Sequence, residues 1–94
     1  MHPHEVVIVT GAGNGIGRET AIRFAQEGYH LVLVDMDQQA LSLVASTIAS
    51  SYTVEQLILA GDLAETSFLT RVVEAAMERF GRIDVLVNNA AWRT

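Results

Sequence analysis

Short aliphatic runs alternate along this chain with longer stretches in which apolar residues recur three or four positions apart. The runs predict strands buried on both faces over residues 6–9, 31–34, 54–60 and 83–87. The periodic stretches between them predict three amphipathic helices. Their apolar positions are Ile16, Ala21, Phe24 and Ala25, then Leu41, Val44, Ala45 and Ile48, then Phe68, Leu69, Val72, Val73, Ala76 and Phe80.

The element order is strand, helix, strand, helix, strand, helix, strand. Only a crossover helix can return the chain to begin a parallel neighbour, so this alternation predicts an α/β fold with a parallel sheet and helices on both faces. Gly28 and Gly81 follow the first and third helical stretches, where a helix commonly ends.

Composition limits the chain to one small globular domain. It has 94 residues, of which 50% are hydrophobic and 18% charged, with a formal net charge of -5. Six scattered basic residues do not form the cluster that a nucleic acid partner requires. Without cysteine there is no disulfide or thiolate zinc site, and the two histidines near the start lack partners for a metal site. With no signal-peptide pattern or membrane-length apolar run, we expect a soluble cytoplasmic protein.

A glycine-rich turn, TGAGNGIG over residues 10–17, joins the first strand to the first helix. Gly11 permits a tight exit from the strand, Gly15 lets the backbone approach a phosphate, and Gly17 lets the helix pack closely on the sheet. The helix N-terminus offers free N–H groups and a positive dipole end to a dinucleotide pyrophosphate. The context therefore predicts a partial Rossmann-type doubly wound sheet of four strands and three helices, with strand order 3-2-1-4.

Asp35 ends the second strand, 18 residues after Gly17 (35 minus 17), near the spacing of a ribose-binding acid. Its carboxylate can accept hydrogen bonds from both ribose hydroxyls and would repel a 2′-phosphate, which favours NAD over NADP. Asn14 and Met36 supply no cation for an extra phosphate, and Arg18 is interpreted as a solvated residue. A simple strand-end turn carboxylate is the alternative interpretation of Asp35.

Three segments together resemble the short-chain dehydrogenase/reductase family: the TGxxxGIG turn, the Asp-aliphatic pair at residues 62–63, and NNAA at residues 88–91, where the family has NNAG. The resemblance implies that Asp62 bonds the adenine amino group with Leu63 as its neighbour. It also implies that Asn89 ties the fourth strand to its neighbours and Ala90 lines the adenosine side. Asp62, Asn88 and Asn89 are alternatively ordinary turn residues. The cofactor-binding set is therefore Gly11, Asn14, Gly15, Ile16, Gly17, Asp35, Asp62, Leu63, Asn89 and Ala90.

The sequence departs from the family pattern at three places. Ala91 stands where glycine is usual, a change we expect to be tolerated. Ala64 stands where many relatives have a capping Ser or Thr, so we expect Thr66 or Ser67 to cap the third helix instead. The family's catalytic Ser, Tyr and Lys, with a helix-borne Asn, lie downstream of the NNAG segment. This sequence has no lysine, so neither tyrosine is followed by one four positions on.

We therefore expect residues 1–94 to be the NAD-binding half-domain of a dehydrogenase of secondary alcohols or ketones, truncated before its catalytic segment. Alone, this chain should be inactive, because hydride transfer needs a proton donor beside the substrate. The alternative is a non-catalytic nucleotide-binding or interaction module that another chain completes. In either case we expect self-association, or packing against a missing C-terminal portion, because the last strand would otherwise leave an open edge.

Overall fold

The computed structural model describes residues 4–89, which form one parallel sheet with helices on both faces. The strands are β1 (Val6–Thr10), β2 (His30–Asp35), β3 (Gln56–Ala60) and β4 (Val85–Asn88). The helices are α1 (Gly15–Gln26), α2 (Gln38–Ser51) and α3 (Thr66–Phe80). The strand order is β3-β2-β1-β4 and all three pairings are parallel. The predicted element order, fold class and strand order are therefore confirmed.

Two apolar cores, one on each face of the sheet, explain why the strands are apolar along their whole length. Alternate residues of a strand point to opposite faces. On one face, Val7, Val9, Leu31 and Leu33 pack beneath α1 and α2. The other face packs beneath α3, and its buried members are Val6, Ile8, Val32, Val34, Phe68, Val72 and Ala76.

The outer strands are shorter than their apolar runs predicted. β3 begins at Gln56 rather than at position 54, and β4 begins at Val85 rather than at 83. Asp84 lies just before β4, where its Oδ2 accepts a hydrogen bond from the Val6 N–H at 2.8 Å. Gln56 is tolerated inside β3 because its side-chain amide donates to the Ala45 carbonyl of α2 at 3.0 Å. A side-chain bond to the backbone thus stands just before β4 and another at the first residue of β3, and the hydrophobic pattern gives no sign of either.

The predicted caps of α3 are wrong. Its N-cap residue is Glu65, which makes no side-chain capping bond, and Thr66 is already helical. The preceding turn is held instead by Asp62, whose Oδ1 accepts from the Ala64 N–H at 2.9 Å. By contrast α2 has a side-chain cap, because Asp37 Oδ1 accepts from the Ala40 N–H at 3.1 Å.

Part of the apolar surface of α3 faces away from the core. Leu69, Val73 and Met77 are 46%, 42% and 46% exposed. On the same side of the sheet, Leu86 of β4 is 62% exposed; it lies opposite Ile8 in the pairing of β1 with β4. We call these four residues the α3/β4 apolar face. Within residues 4–89, no helix could cross a membrane, and no group of three or more His, Cys, Asp or Glu residues could hold a metal ion.

The bonds of Asp84 predict a specific pH dependence of stability. Arg82 donates two hydrogen bonds to this carboxylate, and together with the Val6 N–H it holds the pKa of Asp84 below the ordinary value of 3.8. The stabilisation should be complete above that ordinary value and lost as the pH falls through the lowered pKa. In Asp84→Asn, urea unfolding followed between pH 2 and 7 should show a weaker acid dependence than in the parent chain.

Glu55→Gln is the matched control for this prediction. The pKa of Glu55 is also lowered, chiefly by the hydrogen bond from Arg79, but its side chain is 59% exposed compared with 23% for Asp84. Solvent screening should make its contribution smaller. An acid dependence that changes as much in Glu55→Gln as in Asp84→Asn would contradict the assignment.

Candidate functional site

All of the described candidate residues lie at the carboxyl edge of the sheet. In a parallel sheet the carboxyl ends of the strands share one edge, and ligands of open α/β sheets bind there. The glycine-rich turn follows β1, Asp35 ends β2, Asp62 and Leu63 follow β3, and Asn89 follows β4. The fold thus brings four separate segments together. Ala90, which was also predicted, lies outside the described residues.

The positions in the turn require glycine for different structural reasons. Gly11 and Gly15 have φ angles of 64° and 57°, in the left-handed region that favours glycine. Gly17 is buried in the first turn of α1, where an added Cβ would lie 1.9 Å from the Gly11 carbonyl oxygen. The predicted close approach at Gly17 is therefore a contact between the start of α1 and the backbone just after β1.

The N-terminus of α1 is open, and no acidic side chain of its own first turn competes for it. Its N-cap residue, Asn14, makes no side-chain capping bond, and the first turn contains no acidic residue. A Cβ built at Gly15 would meet nothing within 4 Å. Ile16 is 76% exposed although its spacing placed it on the apolar face of the helix. Free N–H groups at a helix tip, beside open space, suit a phosphate.

Asp35 lies directly against the glycine-rich turn. Its Oδ2 accepts a hydrogen bond from the Gly13 N–H at 2.9 Å, and its Oδ1 accepts from the Asp37 N–H at 3.0 Å. Two backbone bonds join the same strand end to its neighbours, from the Ala12 N–H to the Val34 carbonyl and from the Gly61 N–H to the Asp35 carbonyl, both at 3.0 Å. Asp35 is therefore a turn carboxylate, as the alternative interpretation held, and its role as a ribose-binding acid stays a prediction.

Asp62 and Leu63 follow β3 at the same edge. Asp62 makes the turn bond to Ala64, so its interpretation as a turn residue describes the structure correctly. Leu63 is half-buried and packs against the core beneath α3. The adenine contact of Asp62 stays a prediction.

The end of β4 is joined to β1 through the buried Thr10. The Thr10 hydroxyl donates to Asn88 Oδ1 at 2.7 Å, and the Asn89 N–H donates to Thr10 Oγ1 at 3.0 Å. The side-chain nitrogen of Asn89 is buried and has no partner within residues 4–89. In the described part of the chain the tie between the strands thus comes from the Asn88 side chain and the Asn89 backbone, not from the Asn89 side chain as expected.

Sequence reasoning missed two contributors to this edge, Thr10 and Gly13. Thr10 was given no role beyond its place at the start of the glycine-rich motif, although a buried hydroxyl at that position must find partners. Gly13 was given no role, although its N–H contacts Asp35 and a Cβ there would lie 2.9 Å from Asp35 Oδ2 and from Ala40 Cβ. The available signal was a fourth glycine inside the turn, besides Gly11, Gly15 and Gly17.

Comparison with known proteins identifies the same family by a family model and by individual relatives. A family model described as short chain dehydrogenase matches residues 5–94. The chain is 42% identical over 85 residues to 1,6-dihydroxycyclohexa-2,4-diene-1-carboxylate dehydrogenase of Pseudomonas putida, covering 90% of this chain and 30% of that protein.

Two solved structures extend the comparison to the fold. L-sorbose reductase from Gluconobacter frateurii, in complex with NADPH and L-sorbose, superposes with a TM-score of 0.90 at 37% identity, over 96% of this chain and 34% of its own. NAD+-bound xylitol dehydrogenase gives 0.89 at 35% identity, over 95% and 34%. The chain therefore spans about a third of the length of the relatives it matches.

The contact between Gly17 and Gly11 predicts a large difference between two glycine substitutions. Gly17→Ala should destabilise the chain by about 3 kcal/mol, because the new methyl group would overlap a backbone carbonyl that cannot easily move. Gly15→Ala should cost only about 1 kcal/mol, since its methyl group enters open space and only the left-handed backbone is strained. Urea unfolding of both variants measures the difference, and equal losses would argue against the close approach.

Proposed function

This chain belongs to the short-chain dehydrogenase family, and on that premise we propose that it is the NAD-binding portion of an oxidoreductase acting on secondary alcohols or ketones. The observation that carries the proposal is the open N-terminus of α1 beside the Asp35 carboxylate. Family members bind a nicotinamide dinucleotide, and L-sorbose reductase and xylitol dehydrogenase are relatives with sugar or polyol substrates in their names.

The residues at the carboxyl edge fit such a cofactor. The first N–H groups of α1, next to Gly15, would hold the pyrophosphate, and Asp35 would accept hydrogen bonds from the adenosine ribose. Asp62 would bond the adenine amino group. The exposed side chain of Ile16 offers apolar contact at the same tip. The backbone of Gly11 shapes the turn. The other members of the proposed binding set are Asn14, Gly17, Leu63, Asn89 and Ala90.

The preference for NAD over NADP rests on the side chains around the end of β2. The structural neighbours include complexes with both NADPH and NAD+, so the preference has to come from this chain's own residues. A carboxylate at position 35 repels a 2′-phosphate. Met36 is 71% exposed and uncharged, and Asn14 is exposed and uncharged, so neither would neutralise an added phosphate.

We propose that residues 1–94 alone do not catalyse the reaction. The bound nicotinamide ring would exchange a hydride with the substrate, and the protein must supply the matching proton donor. Tyr29 and Tyr52 precede β2 and β3, at the amino edge of the sheet and far from the proposed site. Burial raises the pKa of Tyr29, opposite to the change expected of a catalytic phenol. Within these residues no lysine is present to assist either tyrosine.

The α3/β4 apolar face supports a second proposal, that the isolated chain associates with itself. Four exposed apolar side chains lie on one side of the molecule, and β4 forms the outer edge of the described sheet. Exposed apolar side chains and an open strand edge both favour association. The same face suits an interaction module that another chain completes. A cytoplasmic location is compatible with both the self-associating chain and the interaction module.

Calorimetry tests the cofactor preference. We expect NAD+ to bind at least about tenfold more tightly than NADP+, and Asp35→Ser to reduce that ratio, because it removes the charge that repels the 2′-phosphate. Leu43→Ser, on the exposed surface of α2, is a control that should leave the ratio unchanged. Tighter binding of NADP+ by the parent chain would overturn the preference.

Sedimentation velocity over a range of concentrations tests self-association. We expect concentration-dependent oligomers, and we expect Val73→Glu combined with Met77→Lys to shift the chain toward monomer by placing charges on the apolar face. Leu43→Glu, which places a charge on an exposed apolar residue outside that face, should have no effect. A parent chain that stays monomeric at every concentration would refute this proposal.

A further inference from the structure

The glycine-rich turn contains one N–H group that depends on a side chain of another element. Gly13 is buried, so its N–H has limited access to water. Its partner is Asp35 Oδ2 at 2.9 Å. Because a buried N–H without a partner costs free energy, this bond is needed for the turn to keep its conformation.

The packing around this bond leaves little room for an alternative. A Cβ at Gly13 would lie 2.9 Å from Asp35 Oδ2 and from Ala40 Cβ. The turn therefore touches both the end of β2 and the first turn of α2. The Asp37 N–H fixes the other oxygen of the carboxylate at 3.0 Å, so the orientation of Asp35 is set from the side of α2.

We propose that Asp35 is a positioning residue for the phosphate-binding turn, in addition to its proposed bond to the ribose. By holding the Gly13 N–H, the carboxylate keeps the turn that leads into Asn14 and Gly15 in its binding conformation before any ligand arrives. The inference deepens the proposed function and rests on it. It implies that Asp35 affects the pyrophosphate end of the cofactor as well as the sugar.

Both roles are compatible at one carboxylate. An ionised carboxylate offers about four acceptor positions, and the two backbone N–H groups use one on each oxygen. One position on each oxygen is left for a ribose hydroxyl. Losing Asp35 should therefore weaken even a ligand that has no ribose hydroxyls to offer.

Hydrogen exchange of the ligand-free chain, followed residue by residue by NMR, tests the positioning directly. In Asp35→Ala we expect the Gly13 amide to exchange at least about tenfold faster than in the parent chain. Asp35→Asn keeps an acceptor oxygen and should retain most of the protection. The Ala12 amide, bonded to the Val34 carbonyl, is the internal reference.

Asp37→Ala is the matched control, because it removes the cap of α2 without touching either hydrogen bond of the Asp35 carboxylate. It should leave Gly13 protected. Should Asp35→Ala fail to fold, Asp35→Val, which suits the end of a strand and also lacks an acceptor, takes its place. Unchanged Gly13 exchange in a folded variant without an acceptor would overturn the proposal.

Calorimetry with 2′,3′-dideoxyadenosine 5′-diphosphate tests the consequence for binding. This probe carries the diphosphate but lacks both ribose hydroxyls. Asp35→Ala and Asp35→Asn lose the same charge, so a comparison between them isolates the acceptor. We expect the alanine variant to bind about fivefold more weakly than the asparagine variant.

The outcomes separate this inference from the proposed function. Equal affinity of the two variants for the probe would overturn the effect of Asp35 on the diphosphate end. If the parent chain binds neither NAD+ nor the probe, the proposed function fails, while the exchange of the Gly13 amide still decides whether Asp35 holds the turn.

Discussion

The contact between the first turn of α1 and the backbone leaving β1 is the constraint on which the rest of this site depends. Gly17 lies so close to the Gly11 carbonyl that no side chain fits between them. This approach directs the tip of α1 at the carboxyl edge, where its free N–H groups and positive dipole end are available. A larger separation would leave the same helix on the sheet, but its tip would lie farther from the carboxyl edge.

The end of β2 then organises the remaining parts of the edge. Backbone groups of Val34 and Asp35 accept hydrogen bonds from the turns that follow β1 and β3, and the Asp35 side chain adds one bond to Gly13. The central position of β2 between β1 and β3 makes this possible. Asp35 at that strand end can therefore act in two ways: its charge selects between ligands, and its hydrogen bond to the Gly13 N–H holds the conformation of the neighbouring turn.

The sequence allowed the element order, the two-sided burial and the glycine-rich turn to be predicted, because hydrophobic periodicity and backbone sterics are local properties. It did not predict that Asp84 lies outside β4, or that α3 begins without a side-chain cap after Glu65. The position of Asp84 depends on a partner far along the chain, the Val6 N–H. At the start of α3, the preceding turn is held by the bond from the Ala64 N–H to Asp62, which hydrophobic periodicity does not register. The distance along the chain between Thr10 and β4 also explains why the tie of β4 to its neighbours was assigned to the Asn89 side chain, whereas the Asn88 side chain and the Asn89 backbone make it.

The bond between Thr10 and Asn88 spans 78 positions, and β1 pairs with β4 over the same interval. At a synthesis rate of roughly 5 to 20 residues per second, a ribosome needs roughly 4 to 16 s to add that interval. Until β4 is made, β1 can pair only with β2, so the nascent chain carries an open edge at a strand that lies inside the described sheet. Such distant pairings also slow folding. Of the described strands, β4 is the last to be made and covers the open edge of β1, so chaperone protection of that edge is most valuable before β4 emerges.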